Sequence, residues 1–159
     1  MTLLEFHVLL SLVEMVVGLI VLYGLLTGQA FGAWTASFLI VAVLTSVTGF
    51  PLAPFGFDPP RAVGILTLVL LAIAVCAYYL FRLAGAWRWI YVVTALMALY
   101  LDVFVGVIQS FMKIPAVHAL APTQSEPPFL VAQAVVLALF VVLGFFAVRK
   151  FHPVLAPSV

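Results

Sequence analysis

The chain has 159 residues, of which 67% are hydrophobic and only 7% are charged. Its mean hydropathy is +1.38, whereas soluble domains are roughly half apolar and one quarter charged. This composition excludes a water-soluble globular domain and indicates a membrane protein. The net charge of +1 leaves no basic surface for nucleic acid and no acidic tail.

Five runs of apolar residues are long enough to cross a bilayer as helices, which takes about 20 residues. Turn-forming or charged residues separate the runs, and the two-residue alternation of membrane-spanning strands is missing. We therefore predict an all-α, polytopic membrane helix bundle forming one transmembrane domain, residues 1–159. The predicted helices are about 6–26, 33–50, 62–83, 90–111 and 129–148, with a loop at 112–128.

The first run has an alternative interpretation as a secretory signal peptide. Against it, the leader MTLLE contains no basic residue, and no small-x-small cleavage site follows the run. We therefore expect the first run to remain in the protein as a spanning helix.

Five crossings place the two termini on opposite sides of the membrane, so the basic residues indicate the orientation. The side of the C-terminus contains four of them and the other side two. These are Arg82, Arg88, Arg149 and Lys150 against Arg61 and Lys113. Because basic residues favour cytoplasmic loops, we predict that the N-terminus is outside and the C-terminus cytoplasmic.

Aromatic residues mark the predicted cytoplasmic boundary. Trp34, Trp87, Trp89 and Tyr91 fall at the cytoplasmic ends of their helices. Amphipathic rings prefer the level of the lipid headgroups, so we expect all four to lie in the membrane interface.

Two acidic residues fall inside predicted helices. Glu14 lies about eight residues from the outer end of the first helix, and Asp102 about nine residues from the outer end of the fourth. A charge in the membrane costs at least about 2.5 to 3.5 kcal/mol on insertion scales, so these carboxyls indicate a function. Two carboxyls in contact away from water cannot both ionise cheaply, and we expect at least one to hold a proton.

Polar residues continue outward from each carboxyl. His7 and Gln109 each lie seven residues beyond one of them, which is nearly two turns and the same helix face. If these stripes face one another, they line a polar pocket that opens to the outside, with the 112–128 loop as a lid. The candidate ligand-binding residues are Glu14, Asp102, His7, Gln109, Gln133, Lys113 and His118.

Two other interpretations remain open. The acids could be neutral groups that hold helices in register, in which case the protein is an accessory or assembly subunit of a larger membrane complex. His7 and His118 could instead bind zinc or copper together with Glu5, Glu14 or Glu126, which fall on the same side. Their spacing matches no familiar metal motif, so we assign no metal ligand.

Common catalytic motifs are missing from the chain. There is no Gly-rich phosphate loop, no HExxH, no paired Cys motif and no Ser-His-Asp arrangement on a plausible elbow. The sequence leaves open whether the protein is an enzyme and indicates no cofactor.

Three stretches resemble a group of small, uncharacterised bacterial inner-membrane proteins, and the resemblance extends over most of the chain. They are LTSVTGF (44–50), LAGAWRWIYVVTA (83–95) and ALAPTQSEPPF (119–129). The resemblance implies a bacterial inner membrane and no activity. The size and five-helix count are also similar to the translocator proteins that bind porphyrins and sterols, a likeness of architecture from which no residue is carried over.

These features together predict an integral membrane protein whose outward-facing polar pocket binds a small or amphipathic ligand. Proton coupling through Glu14 and Asp102 is part of this hypothesis. The expected partners are the lipid bilayer, the ligand, and either another membrane protein or a second copy of the chain.

Overall fold

Six helices make up the part of the chain that the structure describes. The computed structural model describes residues 2–52 and 59–153, and no strand occurs within these ranges. Five of the helices are long and apolar enough to span a membrane, which confirms the predicted all-α, five-helix architecture. The helices are α1 (Leu3–Thr27), α2 (Gly32–Gly49), α3 (Pro59–Val75), α4 (Trp87–Lys113), α5 (Pro115–His118) and α6 (Pro127–Lys150).

Local capping sets the two ends of α1. The Thr2 hydroxyl accepts a hydrogen bond from the Glu5 amide (3.2 Å), and the Glu5 carboxylate accepts one from the Thr2 amide (2.8 Å). This reciprocal pair satisfies amides that a first helical turn otherwise leaves free, so α1 begins three residues before the predicted start. α1 ends where Gly28 adopts a left-handed conformation (φ +77°) and its amide bonds to the Gly24 carbonyl.

The third span does not continue as a regular α-helix to residue 83, as the sequence predicts. After α3 the chain forms a π-helical turn at Cys76–Leu80. Arg82 and Leu83 follow with positive φ angles of 47° and 57°, which stop the helix before its predicted end. Within the π-helical turn, the Tyr78 ring packs against Tyr91 of α4, with 5.0 Å between ring centroids.

The five spanning helices form a closed bundle with α1 and α4 at its centre. α1 packs against α2, α4 and α6, and α4 also packs against α3 and α6. Gly18 allows the central pair to approach closely, because a Cβ at this position would overlap the Leu99 side chain and lie 3.1 Å from Phe38. α6 is at the edge, and of its residues, all of which the structure describes, only Ala147 is buried.

The two ends of the bundle differ, and we call the end at which α1 begins the N-terminal face and the other the C-terminal face. At the C-terminal face, the Arg88 guanidinium donates hydrogen bonds to the carbonyls of Val148 (2.9 Å) and Phe151 (2.7 Å). At the N-terminal face, Arg61 donates in the same way to the Phe50 carbonyl. Each arginine therefore satisfies carbonyls that a helix end leaves without an intrahelical partner.

The turn after α1 gives a test of this packing. A Cβ at Gly28 would lie 2.9 Å from the Lys150 carbonyl, whereas a Cβ at Gly85, which also has a positive φ (+54°), would meet nothing within 4 Å. We expect Gly85→Ala to cost about 1 kcal/mol through its backbone conformation, and Gly28→Ala to cost about 2–3 kcal/mol because steric overlap is added. Thermal unfolding of the detergent-solubilised variants measures both, and equal losses would contradict the packing described for Gly28.

Candidate functional site

The carboxyls of Glu14 and Asp102 lie near the middle of the bundle. Glu14 is eleven residues after Leu3, and Asp102 is eleven residues before Lys113, so both lie about 17 Å from the N-terminal face. They are deeper than the predicted eight and nine residues because α1 and α4 extend farther toward that face. Glu14 is 1% exposed, and Asp102 is close enough to act on it electrostatically.

Thr45 of α2 is the third member of this cluster, and its hydroxyl lies within hydrogen-bonding reach of the Glu14 carboxyl. The same hydroxyl also lies 3.0 Å from the Val41 carbonyl of its own helix, to which it can donate. Because a hydroxyl has one proton and also accepting lone pairs, Thr45 can donate to a Glu14 carboxylate or, while bonded to Val41, accept from a protonated Glu14.

Three buried side-chain oxygens have no hydrogen-bond partner among residues 2–52 and 59–153. They are Glu14 Oε1, Asp102 Oδ2 and Gln133 Oε1. The amide nitrogen of Gln133 donates to the Phe104 carbonyl (3.2 Å), which joins α6 to α4. All three unpaired atoms are acceptors, and a buried acceptor is stabilised by any donor that reaches it, whether a bound proton or an N–H or O–H group of a ligand.

His7 makes a similar contact nearer the N-terminal face. Its Nδ1 lies 3.0 Å from the Thr48 hydroxyl oxygen, which also lies 2.8 Å from the Leu44 carbonyl of its own helix. Nδ1 donates to this hydroxyl or accepts from it according to which ring nitrogen carries the hydrogen. Lys113 of α4 is close enough to act on His7 electrostatically. The two side chains therefore lie toward the same face of the bundle, and their joint role in a site stays a prediction.

The remaining candidates do not all join this cluster. Gln109 is half-buried on α4. His118 is exposed, and its Nδ1 donates to the Phe111 carbonyl (2.9 Å), which fastens α5 to the end of α4. Lys113 is exposed at the N-terminal face, where it lines an open groove together with Glu5.

The predicted lid, the 112–128 loop, is connected to the end of α4. Gln124 donates to the Ile108 carbonyl (3.3 Å). Where the loop begins and ends, Phe111 of α4 packs edge-on against Phe129 of α6 at 5.3 Å between centroids. Glu126 accepts hydrogen bonds from Thr123 and Ser125 within the loop, and none of the loop hydrogen bonds described here involves His7 or α1.

A metal site finds no support in the described residues. Within 2–52 and 59–153, no three His, Cys, Asp or Glu side chains come close enough to hold a metal ion. His7 and His118 are each engaged in the hydrogen bonds given above rather than with one another.

A buried hydroxyl cluster in the C-terminal half was not predicted from the sequence. Tyr91 is completely buried, with its hydroxyl 3.5 Å from Thr35 Oγ1 and its ring 5.8 Å from Phe151. The Tyr91 side chain is therefore covered by protein, whereas those of Trp34 and Trp89 are each 47% exposed. The interface position of these aromatic residues stays a prediction. This burial could not be predicted from the position of Tyr91 near a helix end, because the residues that cover Tyr91 belong to the π-helical turn and to the segment after α6.

Comparisons of the chain with protein-family models, with curated proteins and with solved structures found no match. The chemistry of the site is therefore argued from its own geometry.

The loop at the N-terminal face has a pH-dependent contact. Partial desolvation raises the pKa of the Glu126 carboxyl, but hydrogen bonds from Thr123 and from the Ser125 amide outweigh it, so the pKa lies below its usual value of 4.5. A lowered folded-state pKa gives stability that is present above pH 4.5 and is lost as the pH falls through the folded value. We expect the protection of the Thr123 and Ser125 amides against exchange, measured relative to their intrinsic rates, to fall on acidification in this range. In Glu126→Gln the exchange should be pH-independent beyond the intrinsic chemical rate, and an unchanged profile would contradict this assignment.

Proposed function

We propose that this chain is a multi-pass protein of the bacterial inner membrane that binds a small or amphipathic ligand at the Glu14–Asp102 pair and exchanges a proton for it. The N-terminal face is periplasmic and provides the route of entry. The location is supported by the resemblance to small bacterial inner-membrane proteins and by the five spanning helices.

The observation that carries this proposal is the set of buried acceptors around Glu14. Glu14 and Asp102 each present a buried oxygen that has no hydrogen-bond partner among the described residues. A site with unpaired acceptors favours a ligand that offers a hydrogen-bond donor. A proton on one carboxyl serves this need when the ligand is absent, and an ammonium or hydroxyl group of the ligand serves it when the ligand is bound.

His7 supports proton exchange with the N-terminal face. Its imidazole lies on the same helix as Glu14, nearly two turns closer to that face, and it is hydrogen-bonded to Thr48 one turn beyond Thr45. Histidine is the side chain best suited to taking up and releasing protons near neutral pH. In the proposed function His7 passes the proton between the periplasmic side and the carboxyl pair, and Gln109 and Gln133 orient the ligand.

A second candidate function is favoured by the exposure of α6. In the most apolar 18-residue segment of α6, no residue is buried inside the bundle. In the corresponding segments of α1 and α4, 39% of the residues are buried. In this alternative, α6 packs against a partner membrane protein, the carboxyls only hold helices together, and the chain is an accessory subunit. A stoichiometric partner that co-purifies in mild detergent and is lost when Val135 and Val142 are both changed to Trp would support it.

The main proposal is tested by proton release. Octylamine hydrochloride, adjusted to the pH of a weakly buffered protein sample, is expected to release up to about one proton per chain, because its ammonium displaces the proton held by the carboxyl pair. Glu14→Gln and Asp102→Asn should each abolish the release, because neither variant can exchange that proton. A pH-indicator dye measures the release, and helical circular dichroism verifies that the variants remain folded.

Glu126→Gln is the matched control, since it removes a carboxyl at the same face but outside the buried cluster. It should release as many protons as the original chain. The proposal is wrong if the Glu14 and Asp102 variants also do so, or if the original chain releases none between about pH 5 and 8.

The orientation is tested independently. Arg82 follows α3, Arg88 begins α4, and Arg149 and Lys150 end α6, so four basic residues belong to the C-terminal face, against Arg61 and Lys113 at the N-terminal face. We expect a green fluorescent protein fused to the C-terminus to fluoresce, because it would fold in the cytoplasm, and an alkaline phosphatase fused there to be inactive. The opposite pair of results would place the carboxyl pair nearer the cytoplasm and remove the periplasmic route.

A further inference from the structure

A groove at the N-terminal face lies apart from the buried carboxyl pair. It is lined by Leu4, Glu5, Val8, Leu9 and Leu12 of α1 and by Lys113 at the end of α4. The groove is open along its side, and its lining is almost entirely apolar. Its only charged lining residues, Glu5 and Lys113, have opposite signs and are both exposed.

The apolar floor has the dimensions of a lipid chain in one leaflet. Leu4 and Leu12 are eight residues apart, which is about 12 Å along a helix, and one leaflet contributes about 15 Å of hydrocarbon. Leu9 and Leu12 are 51% and 55% exposed, so they offer apolar surface to a bound chain. A soluble ligand would gain little from a surface that already faces lipid, so the groove favours a lipid.

The charged end of the groove selects the headgroup. Glu5 is in the first turn of α1 and Lys113 in the last turn of α4, so both lie where the helices leave the hydrocarbon region. Lys113 can bind a phosphate, and Glu5, of which one oxygen already accepts from the Thr2 amide, can accept from an ammonium. A purely anionic headgroup would be repelled by Glu5, and a choline headgroup has no N–H to donate.

We propose that this groove binds one phosphatidylethanolamine molecule. Its phosphate pairs with Lys113, its primary ammonium donates to Glu5, and one acyl chain lies along the α1 floor from Leu4 to Leu12. This site does not depend on the function proposed for Glu14 and Asp102, because none of its lining residues belongs to that pair.

The experiment compares lipids with identical acyl chains. The full chain, delipidated in mild detergent, is titrated with phosphatidylethanolamine, phosphatidylcholine and phosphatidylglycerol, and bound lipid is counted by native mass spectrometry. We expect phosphatidylethanolamine to bind about tenfold more tightly than the other two, because only it makes both charge-assisted contacts. Glycerophosphoethanolamine, which has the headgroup without acyl chains, should bind at least about tenfold more weakly than the lipid because it gains nothing from the apolar floor.

Variants separate the two charged contacts. Lys113→Gln should weaken phosphatidylethanolamine and phosphatidylcholine alike by about tenfold, since both carry the phosphate. Glu5→Gln should lower the affinity for phosphatidylethanolamine to that for phosphatidylcholine. Thr2→Ala removes the capping hydroxyl of α1 and keeps the Glu5 charge, and Arg149→Gln removes a charge at the C-terminal face, so both should leave the preference unchanged.

Three results would overturn the proposal. Equal binding of phosphatidylethanolamine and phosphatidylcholine would show that Glu5 does not select the headgroup. Tightest binding of phosphatidylglycerol would mean that Lys113 acts alone on anionic lipid. If Thr2→Ala removed the preference as completely as Glu5→Gln, the effect would come from fraying of the first turn of α1 and not from the carboxylate.

Discussion

The structure depends on one constraint, that a polar group inside the bundle must find its partner within the protein because lipid supplies none. Threonines satisfy this locally. Thr45, Thr67 and Thr94 each donate to the carbonyl four residues earlier. The buried carboxyls are the exception, because Glu14 Oε1 and Asp102 Oδ2 have no hydrogen-bond partner among the described residues. Nearer the N-terminal face, His7 Nδ1 finds a partner in the Thr48 hydroxyl of another helix. The candidate site is therefore the place in the bundle where this constraint is not met.

The two faces of the bundle have different chemistry. At the C-terminal face, Arg88 holds the carbonyls at the end of α6, Phe151 packs on the buried Tyr91, and the turn at Gly28 contacts the Lys150 carbonyl. These contacts join the ends of α1, α4 and α6. The N-terminal face instead contains His7, exposed Lys113, and a groove open to the side. Proton exchange through His7 and binding of a lipid at the groove are both proposed for the N-terminal face, and they concern different residues.

Much of the polar site could be anticipated from residue type and helical spacing. A carboxyl retained in an apolar run is unusual enough to indicate a special environment, and the seven-residue interval places His7 on the same side of α1 as Glu14. The seven-residue spacing could not predict which hydroxyls Glu14 and His7 would contact, because Thr45 and Thr48 lie on another helix. It also could not tell that His118 would bond to the Phe111 carbonyl, because that contact depends on the turn between α4 and α5.

The sequence by itself determined that the chain is a bundle of five membrane-spanning helices, because about 20 apolar residues between turn formers have few other stable conformations in lipid. It also determined most helix bounds to within three residues, since capping and breaking are local events. The exception is α3, which ends at Val75, eight residues before the predicted end at 83. Only the tertiary structure decided that Tyr91 is buried, that α6 is peripheral, and that Glu14 faces Asp102 and Thr45. These depend on which helix faces pack together. Except for α4, the spanning helices are so uniformly apolar that they carry little amphipathic signal to specify their packing faces. Shape complementarity at positions such as Gly18 therefore contributes to selecting these faces.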